Sequence, residues 1–326
     1  MATLGKEGFT QLVVSTLEKI EGKLVDQVLQ RHPTLDLFAR NASSDTGRSL
    51  VMNLEASEDE STVWTDESGS FNTDVTPDIM GAAEYEWSEP LVSKVRVPFK
   101  RLEMNSGKEQ IVDLLKAHIE SAKKGHGKKI AKALHASVPA SGAISSFPVI
   151  VSADGSVGGI DPATGGKEYW SSTEVVAGRD EYPSIIRVFR TVENDLADAT
   201  SDMSELTHIV AGRNVYEEYV NELDDKVRYV NLEGKNAGEA NTKFKAVWFG
   251  DTEVRYDPDC DPDTAYFLDI NTWRMKYLNG NWMKVQPAQT ITGSLDFITP
   301  IASVLAVGTN ERRANAVLQR PDEQPA

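Results

Sequence analysis

Near the start of the chain, hydrophobic residues recur in steps of three and four. Phe9, Leu12, Val13, Leu17, Ile20, Leu24 and Val28 share one face of a helix predicted over residues 9–31, weakened by Gly22 and ended by Pro33. The face suits a core helix and an arm that packs on a neighbouring molecule equally well. Period-two alternation then takes over. Leu50, Met52, Leu54 and Ala56 predict one half-buried strand, and Val95, Val97 and Phe99 a second. Residues 57–93 separate the two, far more than a hairpin turn requires, and carry Trp64, Phe71, Ile79, Met80, Tyr85 and Trp87. Disordered linkers are poor in aromatics, so an ordered extension that buries these side chains is expected.

A helix follows. Ser106 and Glu109 fit a capping box, Ile111, Leu114, Leu115, Ile119 and Ala122 form its apolar stripe, and Lys123 and Lys124 suit the negative end of its dipole. Gly125 and Gly127 are expected to end it. Residues 139–240 read as an inserted α+β domain with a glycine-rich stretch at 155–166 and a helix at 213–224. Residues 244–249 and 253–256 flank Gly250-Asp251 as a hairpin, and 265–270 is a strand. Trp273, Met275 and Tyr277 alternate up to Asn279-Gly280, a strong hairpin signal. Residues 297–308, apolar but interrupted by Thr, Pro and Ser, predict a buried strand or short helix, and 319–326 a polar tail.

Composition narrows the class. A chain of 326 residues accommodates about two domains. With 40% hydrophobic and 26% charged residues it is expected to fold. A net charge of −16 opposes a nucleic-acid-binding role and suits the wall of a container. Cys260 is the one cysteine, so no intrachain disulfide forms. The first residues do not form a signal peptide, and no apolar run reaches the length of about twenty residues that a membrane span needs.

The charge is unevenly placed. Residues 51–92 hold eleven acidic and no basic side chains, while 93–135 hold eleven basic against four acidic. Charge runs are usually solvated faces. An extended segment at −11 nevertheless repels itself, and an isolated hairpin is marginal, so a basic partner is expected. That partner is either the same subunit or the next one, and in the second case the contact propagates.

Motifs for chemistry fail on inspection. Asp161-Pro-Ala-Thr-Gly-Gly-Lys167-Glu168 has Asp where a phosphate loop has Gly, and Glu where it has Ser or Thr. Asp257-Pro-Asp259-Cys-Asp261-Pro-Asp263 alternates carboxylates like a calcium loop but lacks its Gly and closing Glu. The histidines His32, His118, His126, His135 and His208 show no metal-ligand spacing, and no Gly-x-Ser-x-Gly elbow occurs. No catalytic residue, cofactor or metal is assigned.

Several short runs in collinear order carry a resemblance. Val63-Trp64-Thr65, Ala83-Glu84-Tyr85-Glu86-Trp87 and Asn105-Ser-Gly-Lys-Glu-Gln-Ile111 are similar to a group of tailed-bacteriophage major capsid proteins. So are Gly158-Gly-Ile-Asp161 with Trp170, Phe267-Leu-Asp-Ile-Asn271 and Asn310-Glu-Arg-Arg313. The resemblance implies the α+β Hong Kong 97-type capsid fold. Residues 1–45 would form the N-terminal arm and 46–104 the extended β-hairpin loop with its flanking strands. Residues 105–140 and 271–326 would form the peripheral domain with its long spine helix, and 141–270 the axial domain. It further implies a homo-oligomer of hexamers and pentamers that encloses DNA without specific binding, free of membrane. A separate scaffolding protein, a portal and decoration proteins are the implied partners, with assembly in the host cytoplasm.

Candidate inter-subunit contacts are Trp64, Tyr85 and Trp87 with Glu84 and Glu86 on the acidic side. Lys94, Arg96, Lys100, Arg101, Lys123, Lys124, Lys128 and Lys129 stand on the basic side. Some members cross-link through a lysine on the extended loop; residues 51–92 contain none, so no such cross-link is expected. About forty-five residues precede the loop, too few for the cleaved scaffolding segment of other members, so no N-terminal cleavage is expected. The rivals are an encapsulin-type nanocompartment, a hydrolase or nucleotide-binding enzyme, and a minor head or tail protein.

Overall fold

A computed structural model describes residues 32–55, 80–97, 108–165, 167–200, 206–227, 247–287, 289–290 and 296–322. The helix expected over 9–31 lies outside them, as do Ser106, Trp64, Lys100 and Arg101. Pro33 opens a helix: α1, Pro33–Arg40, uses proline in the first turn, where its fixed φ suits a helix and its missing N–H costs nothing. Leu35, Leu37 and Phe38 turn to the core. Strand β1, Ser43–Asp45, leads to β2, Ser49–Glu55, and β3, Met80–Glu86.

Strands β2 and β3 pair antiparallel, with Leu50 opposite Tyr85, Met52 opposite Ala83 and Leu54 opposite Gly81. The alternation of the first strand is as expected, since Leu50, Met52 and Leu54 are buried and Val51 is exposed. Its partner is not the strand expected at 94–100. That strand, β4, Leu91–Val97, pairs along its whole length with β13, Phe297–Ser303. Alternation fixes which face is buried; it carries no information about which distant strand completes the ladder.

Helix α2, Lys108–Leu134, runs 27 residues, about 40 Å at the α-helical rise. It continues through Gly125 and Gly127 instead of stopping there. Each glycine costs about 1 kcal/mol in a helix, but burial of Ile119, Ile130, Ala131 and Leu134 outweighs that cost. A single helical turn, α3, Phe147–Ile150, follows.

Two hydrophobic clusters organise the rest. One surrounds β10, Trp273–Leu278, and β14, Leu305–Thr309, which pair antiparallel while β1 joins β10 in parallel. Phe38, Phe147 and Trp273 pack ring on ring at its centre. The second cluster lies on a six-stranded sheet. Its strands are β5, Thr173–Val176; β6, His208–Ala211; β7, Val247–Phe249; β8, Thr252–Tyr256; β9, Thr264–Leu268; and β15, Ala316–Gln319. Their order is β5-β15-β9-β6-β8-β7. Helices α4, Ile185–Thr200, and α5, Arg213–Val227, pack on this sheet through Phe189, Val192, Leu196, Val215 and Tyr219.

Two expectations are corrected here, and one open alternative is decided. Asn279 and Gly280 take φ of +49° and +72°, so the tight turn exists. It does not make a two-strand hairpin, because β10 is paired to β14 and β1, and the next strand, β11, Lys284–Val285, joins β13. Of strand and short helix, strand is observed for the apolar run at 297–308, which forms β13 and β14 with Val304 between them. The expected polar tail is partly interior: β15 lies between β5 and β9, and Arg320 is fully buried. The end of the chain therefore returns to the sheet of residues 173–268 instead of staying with the body built on β10.

Candidate assembly surface

The root of the β2–β3 hairpin is gripped from beneath. Tyr85 is 3% exposed, and its ring lies flat over Gly308 on β14, where any side chain would strike it. Its hydroxyl donates to the Thr309 carbonyl at 2.7 Å and accepts from the Thr309 N–H at 3.2 Å. Burial pushes the phenol up to about 12, so it stays a neutral donor. Beside it the Ser88 N–H donates to the Leu305 carbonyl at 2.8 Å, and the Glu84 N–H to the Gly158 carbonyl at 2.9 Å. The opposite face of the hairpin is open: Val51, Glu84 and Glu86 are exposed, with Glu84 accepting from the Ser49 hydroxyl.

The basic surface lies on β4 and α2, which pack together. Lys94 and Arg96 project from β4, and Arg96 grips Asp296 through two N–H groups at 2.9 and 2.6 Å. Lys128 and Lys129 are exposed on α2 and Lys124 is half-buried. Beneath them His126 is fully buried. Its Nδ1 is 2.9 Å from the Ser93 hydroxyl on β4, and its Nε2 is 2.8 Å from the Ser303 hydroxyl on β13. This ring ties the helix to both strands at the hairpin's base. Burial lowers its pKa from 6.5 to about 4, so the folded state holds it neutral. The unfolded chain binds the proton more tightly, so stability from this site is complete above about pH 6.5. It is lost as pH falls through about 4, by on the order of 3 kcal/mol. Urea unfolding at pH 7 and 4.5 measures the loss, and His126→Asn flattens the dependence.

The predicted contact residues thus divide. Glu84, Glu86, Lys94, Arg96, Lys128 and Lys129 are presented at the surface. Trp87 is half-buried and donates its indole N–H to the Gly47 carbonyl at 3.2 Å. Tyr85 and Lys123 are spent inside the subunit, with Lys123 only 1% exposed, so neither is free to meet a neighbour. Periodicity placed Lys123 at a helix end that does not exist; in the continuing helix it faces inward.

Sequence reasoning overlooked two further features. Trp248 is 59% exposed on the edge strand β7 and ranks with Val51 among the exposed large apolar side chains. Arg312 is fully buried and donates to the carbonyls of Ile150, Ser152, Asp154, Gly155 and Trp170, which fixes the loop carrying Gly158 under the hairpin. Its signal was a pair of arginines between apolar strands.

The motifs that imitate chemistry prove structural. Asp161 caps its own turn by accepting from the Ala163 N–H at 3.0 Å, and only a 3-10 turn, Glu168–Trp170, follows where a phosphate loop needs a helix. Asp257 is buried and accepts from the Thr34 hydroxyl, the Thr34 N–H at 3.2 Å and the Asp259 N–H at 2.9 Å. Burial alone would raise its pKa; the bonds from His135, Thr34 and Asp259 outweigh it and hold the carboxyl at about 2. No helix of the described residues is long and apolar enough to cross a membrane.

No protein-family model and no curated protein sequence matches the chain. Its fold, by contrast, recurs in solved structures. The arrangement of hairpin, long helix and six-stranded sheet is the Hong Kong 97-type capsid fold. A subunit of the Cyanophage A-1(L) capsid asymmetric unit matches 90% of this chain and 93% of its own at a TM-score of 0.62 and 13% identity. The capsid of a native GTA particle matches 87% and 89% at 0.55 and 11% identity. A virus-like particle from Pyrococcus furiosus matches 93% and 98% at 0.51 and 11% identity.

Proposed function

We propose that the chain is the major capsid protein of a tailed bacteriophage and acts by tiling a shell, with no catalytic role. The observation that carries this reading is the near end-to-end correspondence with the cyanophage capsid subunit, which leaves little of either chain outside the shared fold. Hexamers and pentamers of the chain enclose double-stranded DNA, and a scaffolding protein, a portal and decoration proteins are its partners in assembly. Residues 1–45 serve as the arm and 46–104 as the extended loop with its flanking strands. The body around β10 and α2 is the peripheral domain, and the six-stranded sheet, β15 included, is the axial domain. The acidic hairpin face with Glu84 and Glu86, Trp64 beyond it, and Trp87 meet Lys94, Lys100, Arg101, Lys124, Lys128 and Lys129 of a neighbour. Such charge matching sets register and partner choice more than affinity.

Sedimentation of the purified chain, followed by nuclease treatment and extraction of particles from the host, tests this. The reading predicts closed particles in the megadalton range that protect double-stranded DNA. A persistent monomer, or particles filled with protein in place of DNA as in a nanocompartment, contradicts it. Because residues 51–92 contain no lysine, boiled particles on a denaturing gel are expected to run at the 35.8 kDa subunit mass. A ladder of multimers would sink the non-covalent shell.

A further inference from the structure

Helix α4 turns Ile185, Val188, Phe189, Val192 and Leu196 to the six-stranded sheet and leaves its other side in solvent. The charges on that open side stand in two groups. Arg187 and Arg190 are exposed in the first half; Glu193 and Asp198 are exposed, and Asp195 half-buried, in the second.

This order runs against the helix. A helix carries partial positive charge at its N-terminus and partial negative charge at its C-terminus, so acids suit the first turn and bases the last. Helix α1 obeys, with Asp36 in its first turn and Arg40 in its last, and α2 carries Lys132 in its last turn. In α4 Arg187 stands in a first turn without an acid, and Asp198 in a last turn without a base. The start of α4 is capped from within the fold, the Ile186 N–H donating to Glu222 at 3.2 Å, a contact that uses neither arginine. The isolated subunit gains nothing from the reversed order; a contact outside the subunit can.

Nor are these charges spent at home. Arg187, Arg190, Glu193, Asp195 and Asp198 make no ion pair with any described residue, and neither do Asp180 and Glu181 in the turn before the helix. Glu193 stands one turn from Arg190, but with the base N-terminal to the acid, the weaker order for such a pair. Arg187 and Asp198 lie about 16 Å apart along the axis at the α-helical rise. That exceeds the screening length of about 8 Å at physiological salt, so the two ends do not neutralise one another.

We infer that the open face of α4 is a contact to a second copy of the chain, with the Arg187 and Arg190 end of one helix against the Asp195 and Asp198 end of the next. A nucleic acid or a basic peptide answers one end and is repelled by the other; a second α4 answers both. Around a ring each subunit gives its basic end to one neighbour and its acidic end to the other, so the contact closes with every end matched. Such complementarity fixes orientation, since a subunit turned the wrong way sets like charges together. The inference rests on the shell reading and adds a contact on the side of the six-stranded sheet, apart from the hairpin.

Three variants of the full chain test it: Arg187→Glu with Arg190→Glu, Asp195→Lys with Asp198→Lys, and all four together. The first two give the helix ends the sign that its dipole favours, so the urea midpoint of the subunit is expected to hold or rise. Each also sets like charges at every contact, and particle yield is expected to fall by about tenfold or more. The fourfold variant reverses both ends, restores opposite charges across the contact, and is expected to recover yield to near wild type. A variant that merely misfolds is not rescued by two further substitutions, so loss of fold does not imitate this result. Single-end variants that assemble normally, or a fourfold variant that stays as poor as they are, overturn the contact and leave the shell reading standing. Failure of the wild-type chain to form particles strikes the shell reading itself and is seen before any variant is made.

Discussion

Arg312→Met is expected to lower the unfolding free energy by about 3–5 kcal/mol, a third or more of what a typical domain possesses. The guanidinium is fully buried without a carboxylate partner among the described residues, and burial lowers its pKa. Its N–H groups go instead to the carbonyls of Ile150, Ser152, Asp154, Gly155 and Trp170. Methionine fills much of the volume and strands all of these acceptors. Lysine, a compact ammonium with three donors, reaches too few of them, so Arg312→Lys fails in the same direction. Neighbouring Arg313 makes only a partly exposed pair with Glu311 at 2.8 Å, and Arg313→Met is expected to cost below about 1 kcal/mol. Urea unfolding of both variants decides the point: equal losses would mean that the buried fork does not organise the loop.

Gly308→Ala is the second large effect. The new methyl group collides with the Tyr85 ring, which is backed by the core and held by both polar groups of Thr309. Overpacking of this kind costs about 1–3 kcal/mol, and loss of the buried hydroxyl bonds adds about 1 kcal/mol. Tyr85→Phe loses only the second part. The two variants therefore separate stability from geometry. Gly308→Ala moves the hairpin root and is expected to depress particle yield well beyond its effect on the subunit's urea midpoint, whereas Tyr85→Phe lowers the midpoint slightly and leaves yield near wild type. Parallel loss of yield and midpoint in both would remove the case that the root orients the hairpin for assembly.

What the sequence disclosed, and what it withheld, follows from the range of the interactions. Alternation at 50–56 revealed the buried face of β2, because side-chain direction is local. It could not reveal β3 as the partner, nor that β4 completes a ladder with β13 some two hundred residues away. Propensity placed a stop at Gly125 and Gly127, and packing of Ile130, Ala131 and Leu134 overrode it. The Asn279-Gly280 turn was legible from backbone preference; the strands it fails to join were decided by β14. Gln319 and Arg320 look like a solvated tail until Glu218, on a distant helix, supplies the counter-charge. The exposure of Glu84, Glu86, Lys94, Arg96, Lys128 and Lys129 was readable because charge runs seldom bury. The cleft beside His135 was not, since its walls come from five separated segments.

Cryo-electron microscopy of the assembled chain tests the central claim most directly. The account predicts closed icosahedral shells of pentamers and hexamers, with α2 and the six-stranded sheet in each subunit and the β2–β3 hairpin lying across a neighbour beside β4 and α2. Particles without icosahedral order, or shells in which that hairpin folds back on its own subunit, would contradict it.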